Sequence, residues 1–350
     1  MSQVSRGLER SPVLGKKLAG QSSVSLKRLL WPAIWFGIIA VYPLVWQTPF
    51  QQRVGALVLL YAIAASGWNI LGGYAGQMSI GHVVFFGCGA YGALAVYHHL
   101  GLPPIAGLPL GVLASILIAA LIGVPTLRLS GHYFSMATIG VAELVRLIVI
   151  NSEFLGAAVG LSGPAVPRTI MDLSFISALP YYYLFLAVLI CTLALTWRME
   201  NSRMGYYLRA IKDSERAARA LGVAAGRYKL WAFMFSAAVT AVAGSLYAIM
   251  FGFVDPDSGL GILISVKMLI MAALGGAGYL FGPLVGAVIL VPLEEISNSM
   301  FGGAGRGLTF VVYGTIIMLL ARFQPGGLLD LLQRLPRRSR KATPGVRGDA

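Results

Sequence analysis

Long apolar runs, each near the length that crosses a bilayer, follow one another through this chain with short polar interruptions, and nothing else in the sequence restricts its fold as much. A spanning helix needs about 20 mostly apolar residues, and 57% of the 350 residues are hydrophobic. Set against the turn residues, the runs fall near 31–49, 54–72, 83–100, 105–127, 133–150, 180–197, 230–253, 261–277, 282–293 and 307–321. The expected fold is all-α: a polytopic transmembrane helical bundle of about ten spans. Charged residues make up 11%, against about 25% in a soluble domain, which excludes a water-soluble globular enzyme.

The net charge of +14 would suggest nucleic acid only on a soluble domain with a basic face. Here it reports topology. With an even number of spans both termini share a side, and with that side cytoplasmic the basic residues separate cleanly. Six lie in residues 1–30, one is Arg128, eight lie in 198–229 and seven lie from Arg322 onward, so 22 of the 27 are cytoplasmic. Only Arg53, Arg168 and Arg306 fall outside, and Arg146 and Lys267 lie within spans. External segments carry Glu153, Asp172, Asp255, Asp257, Glu294 and Glu295 instead. Three regions follow: a basic cytoplasmic tail 1–30, a transmembrane domain 31–322 with a cytoplasmic loop 198–229, and a basic cytoplasmic tail 323–350. The tails are suited to anionic membrane lipid. The first 30 residues are too long and polar for a compact signal peptide, so the first span is expected to be an uncleaved anchor.

Cys88 and Cys191 both sit in apolar stretches with no disulfide or metal spacing and read as small core residues. The 43 glycines fit helices packed backbone to backbone, as in Gly278-xxx-Gly282-xxx-Gly286. Residues 274–283 interrupt the hydrophobic run with glycines and Pro283, either as a tight turn or as a broken helix. Gly87-Cys88-Gly89-Ala90-Tyr91-Gly92 matches a dinucleotide fingerprint, but without a preceding strand it reads as a glycine-rich helix.

No P-loop, no H-E-x-x-H pair and no cluster among His82, His98, His99 and His132 is present in the sequence. No catalytic or metal-binding residue is expected, and no cofactor bound by this chain. The informative hydrophilic stretch is the loop 198–229. Within it Asp213 to Gly222 reads as a short helix: Asp213 or Ser214 caps it, Glu215 suits the positive end of its dipole and Gly222 stops it. Ser214, Ala217, Ala218 and Leu221 are expected on one small, mostly apolar face that can enter a groove on another protein.

Arg209-Ala210-Ile211-Lys212-Asp213-Ser214-Glu215-Arg216-Ala217-Ala218-Arg219-Ala220-Leu221-Gly222-Val223 resembles the coupling loop of ABC importer permeases. Most of residues 54–325 resembles the branched-chain amino-acid permease family, in particular its M-type subunit. The similarity runs through Gly73-Tyr74-Ala75-Gly76-Gln77-Met78-Ser79-Ile80-Gly81-His82, Phe85-Phe86-Gly87-Cys88-Gly89-Ala90-Tyr91, Ala142-Glu143-Leu144-Val145-Arg146, Leu274-Gly275-Gly276-Ala277-Gly278 and Phe281-Gly282-Pro283-Leu284-Val285-Gly286-Ala287. The resemblance implies an inner-membrane subunit that pairs with a homologous H-type permease, two cytoplasmic ATP-binding subunits that use ATP, and a periplasmic or extracellular substrate-binding protein. It implies ATPase coupling through Ala210, Asp213, Glu215, Ala217, Ala218, Leu221 and Gly222. It implies import of leucine, isoleucine or valine, or within the same family urea, short amides or aromatic acids. A departure stands after the fifth span, where relatives often carry a Thr-Gly-Gly-like turn and this chain has Leu155-Gly156-Ala157-Ala158-Val159-Gly160.

Gly72 to Gly92 is too glycine-rich for a uniform helix, so its backbone and Gln77, Ser79 and His82 either approach the translocated solute or pack helices closely. Glu143 and Arg146, at i,i+3 in the fifth span, can pair, as part of a solute or charge path or as a structural link. Lys267 is expected to snorkel outward. Two rivals remain: an ion-coupled secondary transporter using Glu143 and Arg146, and a membrane-embedded enzyme, for which the chain shows no catalytic constellation.

Overall fold

Helices dominate because an apolar segment without water around it must satisfy its backbone groups internally. The computed structural model describes Gly37, residues 39–129, 131–164, Leu173, Phe175, 177–301, Val311, 314–315, Met318 and 327–334. The chain divides into two units, 1–47 and 48–350. In the first, the described residues are helical through Val45. The second begins with α1 (Pro49–Asn69), capped by the Thr48 side chain, which accepts from the Gln51 amide, and continued by a wide π-turn, Ile70–Tyr74. Then come α2 (Val83–Leu100), α3 (Pro104–Thr126), α4 (His132–Ile150) and α5 (Ala178–Glu200). Two short helices, α6 (Arg203–Asp213) and α7 (Glu215–Ala220), lead into the long α8 (Ala225–Phe251). A five-residue helix α9 (Pro256–Leu260), α10 (Ile262–Gly275), α11 (Gly282–Phe301) and α12 (Gly327–Arg334) follow. Leu161–Ser162 and Phe253–Val254 pair antiparallel as a minimal two-stranded sheet.

Seven helical segments among the described residues are long and apolar enough to cross a membrane. They agree with the sequence-based spans from 54–72 through 261–277. The expected span 282–293 falls in α11, which runs to Phe301, carries Glu294 and Glu295 within it and is not among the seven. Of the expected span 31–49, residues 31–36 and 38 lie outside the described residues, as do most residues of 307–321 and of the two tails; in the second tail, α12 is helical.

α1 is the central helix. Every residue from Val54 to Asn69 except Tyr61 is buried, against α5, α8, α10 and α11. α3 shows how the periphery is organised. Its buried positions include Gly107, Gly111, Ser115, Ala119 and Gly123 at a spacing of four, while Leu110, Leu113, Leu117 and Leu121 point out. In water that polarity would be reversed; in a bilayer, small residues bring backbones together and leucines meet lipid. The glycine-rich 87–92 segment serves the same close packing inside α2. A Cβ on Gly89 would stand 1.9 Å from the Ala241 carbonyl oxygen, and one on Gly244 would stand 1.9 Å from that of Phe86. Cys88 is half-buried and Cys191 is exposed on α5, so the second is not a core residue.

Residues 276–281 form a tight turn, with Gly276 at φ 125° and Gly278 at φ 90°, both in the region that favours glycine. α10 and α11 pack at van der Waals limits beyond it: a Cβ on Gly286 would lie 1.9 Å from the Met271 carbonyl oxygen.

Candidate functional site

Most of the site residues expected from the sequence fall in two features of the fold: the α6–α7 loop on one side of the bundle, called here the loop side, and a break in the chain between α1 and α2. Ser214 sits in extended conformation (φ −159°, ψ 104°) and is at once the last cap of α6 and the first cap of α7, its side chain accepting from the Ala217 amide at 3.3 Å. A single residue thus turns the chain between two helices. Gly222, at φ 83°, ends α7 in the left-handed conformation, and Val223 N–H bonds back to the Ala218 carbonyl.

The face of α7 is divided differently from the sequence expectation. Ala218 is turned inward, 3% exposed, against Ile211 and Ala225. Leu221 is 85% exposed, and Ala210, Asp213, Ser214 and Ala217 are exposed with it. The reason is that α7 rests on α6 and the start of α8, and helical period puts Glu215 and Ala218 on that side. Glu215 is half-buried and ion-paired both with Arg219 at 2.6 Å and with Lys229, which lies in α8 and is 1% exposed. Burial alone would raise the Glu215 carboxyl; the hydrogen bond and charge of Lys229, with Arg219 behind it, outweigh that and hold it below the ordinary carboxylate range. Lys229 had no signal in the sequence beyond its place in a basic loop.

The break comprises residues 75–82. α1 reaches the loop side at its π-turn, where Lys212 of α6 donates to the Gly73 carbonyl at 2.7 Å. The chain then turns back into the bundle, and α2 starts at depth. Ser236, the partner of His82, is eleven residues into α8, and Ser265, the partner of Val83, is ten residues before the end of α10. Both place the end of the break about 15 Å from the loop side.

Irregular backbone at such depth survives only where protein satisfies it, and side chains from three helices do so. Trp68 Nε1 donates to the Ser79 carbonyl at 2.7 Å, Ser135 Oγ to that of Met78 at 2.6 Å, and Thr138 Oγ1 and Ser265 Oγ accept from the amides of Ile80 (3.2 Å) and Val83 (2.7 Å). Ser79 and His82 are wholly buried and Gln77 is half-buried. Ser236 Oγ donates to the Gly67 carbonyl at 2.6 Å, so its contact with His82 Nε2 at 2.7 Å has the imidazole as donor. His82 Nδ1 is then an acceptor, and it has no partner; Gln77 Oε1 and Ser79 Oγ are likewise unpaired.

Glu143 and Arg146 do pair, at 3.1 Å, but away from the break. Thr138, which touches the break, and Arg146 are eight residues apart on α4, about 12 Å along its axis. Arg146 there also binds Asp257 of α9 at 2.6 Å, on a surface where the Glu143 and Asp257 side chains are 53% and 78% exposed. Lys267 does not snorkel. It points inward to Glu294, 9% and 17% exposed respectively, with its ammonium 3.9 Å from the centre of the Tyr61 ring. Glu294, expected in an external segment, instead lies within α11 with its carboxylate largely buried against the Lys267 ammonium. Asp255 is occupied too, capping α9 through the Ser258 amide at 3.1 Å.

The family profile described as "Branched-chain amino acid transport system / permease component" matches residues 53–321. The high-affinity branched-chain amino acid transport system permease protein LivM of Salmonella typhimurium is 29% identical over 302 residues, 79% of this chain and 69% of that one. LivM of Escherichia coli K12 is 28% identical over 348 residues, 89% of this chain and 80% of its own. The permease protein LivH of the same Salmonella strain is 24% identical over 300 residues, 80% and 94% of the two chains.

Proposed function

The chain belongs to the family of branched-chain amino acid transport system permease components, and on that premise we propose that it is the M-type permease subunit of an ATP-driven importer, moving leucine, isoleucine or valine across the bacterial inner membrane. It contributes half of a translocation pathway. A homologous H-type permease supplies the other half, a substrate-binding protein outside the membrane delivers the solute, and two cytoplasmic ATP-binding subunits hydrolyse ATP. Similarity to both LivM and LivH, which share the name of one transport system, supports a paired assembly. The loop side is cytoplasmic, since eight basic residues lie in 198–229, and about ten spans return both termini to it.

The observation that carries the reading is the construction of α7. Ala218 and the Glu215–Lys229 pair hold the helix onto α8, so the exposed Ala217, Leu221 and Gly222 are presented on a rigid element. An apolar side chain that stands 85% exposed beside small residues is suited to a groove on an ATP-binding subunit. Closure of the ATPase dimer moves α7, and the bundle responds by rocking. The break is the proposed solute path. The unpaired acceptors Gln77 Oε1, Ser79 Oγ and His82 Nδ1 suit a donor such as the solute ammonium, and the glycine-rich backbone allows close approach. Glu143 and Arg146, remote from the break, serve as a link between α4 and α9.

The test is Leu221→Glu in the assembled transporter. The side chain is free of packing, so the variant should fold, and losing an apolar anchor at a hot spot predicts a fall of about tenfold or more in binding-protein-stimulated ATP hydrolysis. Undiminished stimulation removes α7 as the coupling element.

A further inference from the structure

We infer that Lys212 is a positioning residue for transport: it carries the displacement of α7 into the break, through a single hydrogen bond to the Gly73 carbonyl. The inference rests on the coupling role of α7 proposed above and names the route by which that role reaches the solute path.

Every helix ends with carbonyls that have no partner in the helix. At the π-turn the chain departs after Tyr74; the Gln77 amide returns to the Leu71 carbonyl at 3.2 Å, and the Gly73 carbonyl receives the Lys212 ammonium at 2.7 Å. A cation is the favoured donor at the negative end of a helix. Lys212 belongs to α6, two residues before Ser214, the residue on which α6 turns into α7. Any movement of α7 about that residue therefore acts within one helical turn of the ammonium.

The receiving end is equally direct. Gly73 is four residues from Asn69, whose buried side chain clasps the 276–281 turn from both sides: Oδ1 accepts from the Gly278 amide at 2.8 Å and Nδ2 donates to the Tyr279 carbonyl at 3.1 Å. The two glycine segments touch without side chains between them. A Cβ on Gly73 would meet the Gly278 nitrogen at 2.5 Å, and one on Gly278 would stand 3.0 Å from the Gly73 oxygen and 3.3 Å from Lys212 Nζ. Lys212 thus sits at the point where α6, the end of α1 and the α10–α11 turn meet, beside a cavity of about 290 Å³ lined by Gly73, Lys212, Asp213, Ala277, Gly278 and Tyr279. From Gly73 onward the chain is the break itself, leading to Gln77, Ser79 and His82. A pull on one carbonyl is passed to a segment held at its far end by Trp68, Thr138 and, through His82, Ser236.

The experiment uses the complete transporter reconstituted in vesicles, measuring uptake of labelled leucine and binding-protein-stimulated ATP hydrolysis in the same preparation. Lys212→Met keeps the stem and removes the charge-assisted bond. Hydrolysis should stay within about twofold of wild type while leucine taken up per ATP falls about tenfold, the scale of one hydrogen bond to a charged group. Lys212→Arg, which restores a donor, should recover most of the loss. Unchanged uptake per ATP in Lys212→Met overturns the inference, as do equal losses of hydrolysis and uptake, or a subunit that no longer assembles, since each makes Lys212 structural or irrelevant. If instead the wild-type complex shows no stimulated hydrolysis, or Leu221→Glu leaves it intact, the coupling role of α7 fails first.

Discussion

Removing Glu215 should damage the α7 region more than removing Lys229, although the two form one ion pair. The asymmetry comes from their surroundings: the Lys229 side chain is 2% exposed, whereas that of Glu215 is 30% exposed and has Arg219 as a second partner. Glu215→Gln leaves a buried ammonium without its counter-charge, the situation that costs about 3–5 kcal/mol when a buried pair is broken from one side. Lys229→Met fills the same space with a neutral side chain and leaves a carboxylate that is partly hydrated and still paired, where the loss is closer to that of an exposed pair, about 1 kcal/mol or less. The double variant removes both charges and should recover most of the Glu215→Gln loss, since an apolar replacement of a buried pair is often neutral. Hydrogen exchange at the amides of residues 217–221 reads this locally, with thermal melting in detergent as a global check. The expected order of protection is wild type, then Lys229→Met close to the double variant, then Glu215→Gln. If Lys229→Met opens α7 as readily as Glu215→Gln, the ammonium is not isolated from water and the asymmetry is wrong.

Gly244→Ala should lower the melting temperature markedly, because its new methyl would lie 1.9 Å from the Phe86 carbonyl and must drive α2 from α8, a displacement worth about 1–3 kcal/mol or more. Gly140→Ala, in α4 with nothing within 4 Å of the added carbon, should be neutral or stabilising by up to about 1 kcal/mol; similar melting of the two variants would refute packing as the cause. The pH dependence follows from Glu215. Its carboxyl is depressed in the folded state, so the stabilisation is fully present above the unfolded value of about 4.3 and is lost as pH falls through the lower folded value. Protection of residues 217–221 should therefore hold at pH 5 and decline below pH 4, and Glu215→Gln should abolish that dependence.

Much of the architecture was legible because a bilayer imposes a simple rule on the chain. Helices from 49 to 275 fall within a few residues of the apolar runs, and the cap at Ser214 and the stop at Gly222 have the geometry their residue types require. The structure departs from that reading in several places. α11 runs past 293 with Glu294 inside it, and Lys267 turns inward; each charge taken alone is costly in a bundle, and the contact of Lys267 with Glu294 makes both tolerable. The Ala218 assignment failed because helical spacing groups residues on a face without saying which face is already covered.

Sequence by itself determined that this chain is a membrane bundle, where its long apolar helices run and that a short helix ends at Gly222 in its basic loop, though not the helix Arg203–Asp213 before it, because hydrophobic length, glycine and capping residues act locally. Tertiary structure alone decided which polar groups far apart in the sequence meet. Lys212 and Gly73 are 139 residues apart, Asn69 and Gly278 are 209 apart, and none of the four belongs to a pattern that announces its partner. Their contact is a consequence of α6, the end of α1 and the α10–α11 turn converging on one point, where a broken helix leaves a carbonyl that only another part of the chain can satisfy.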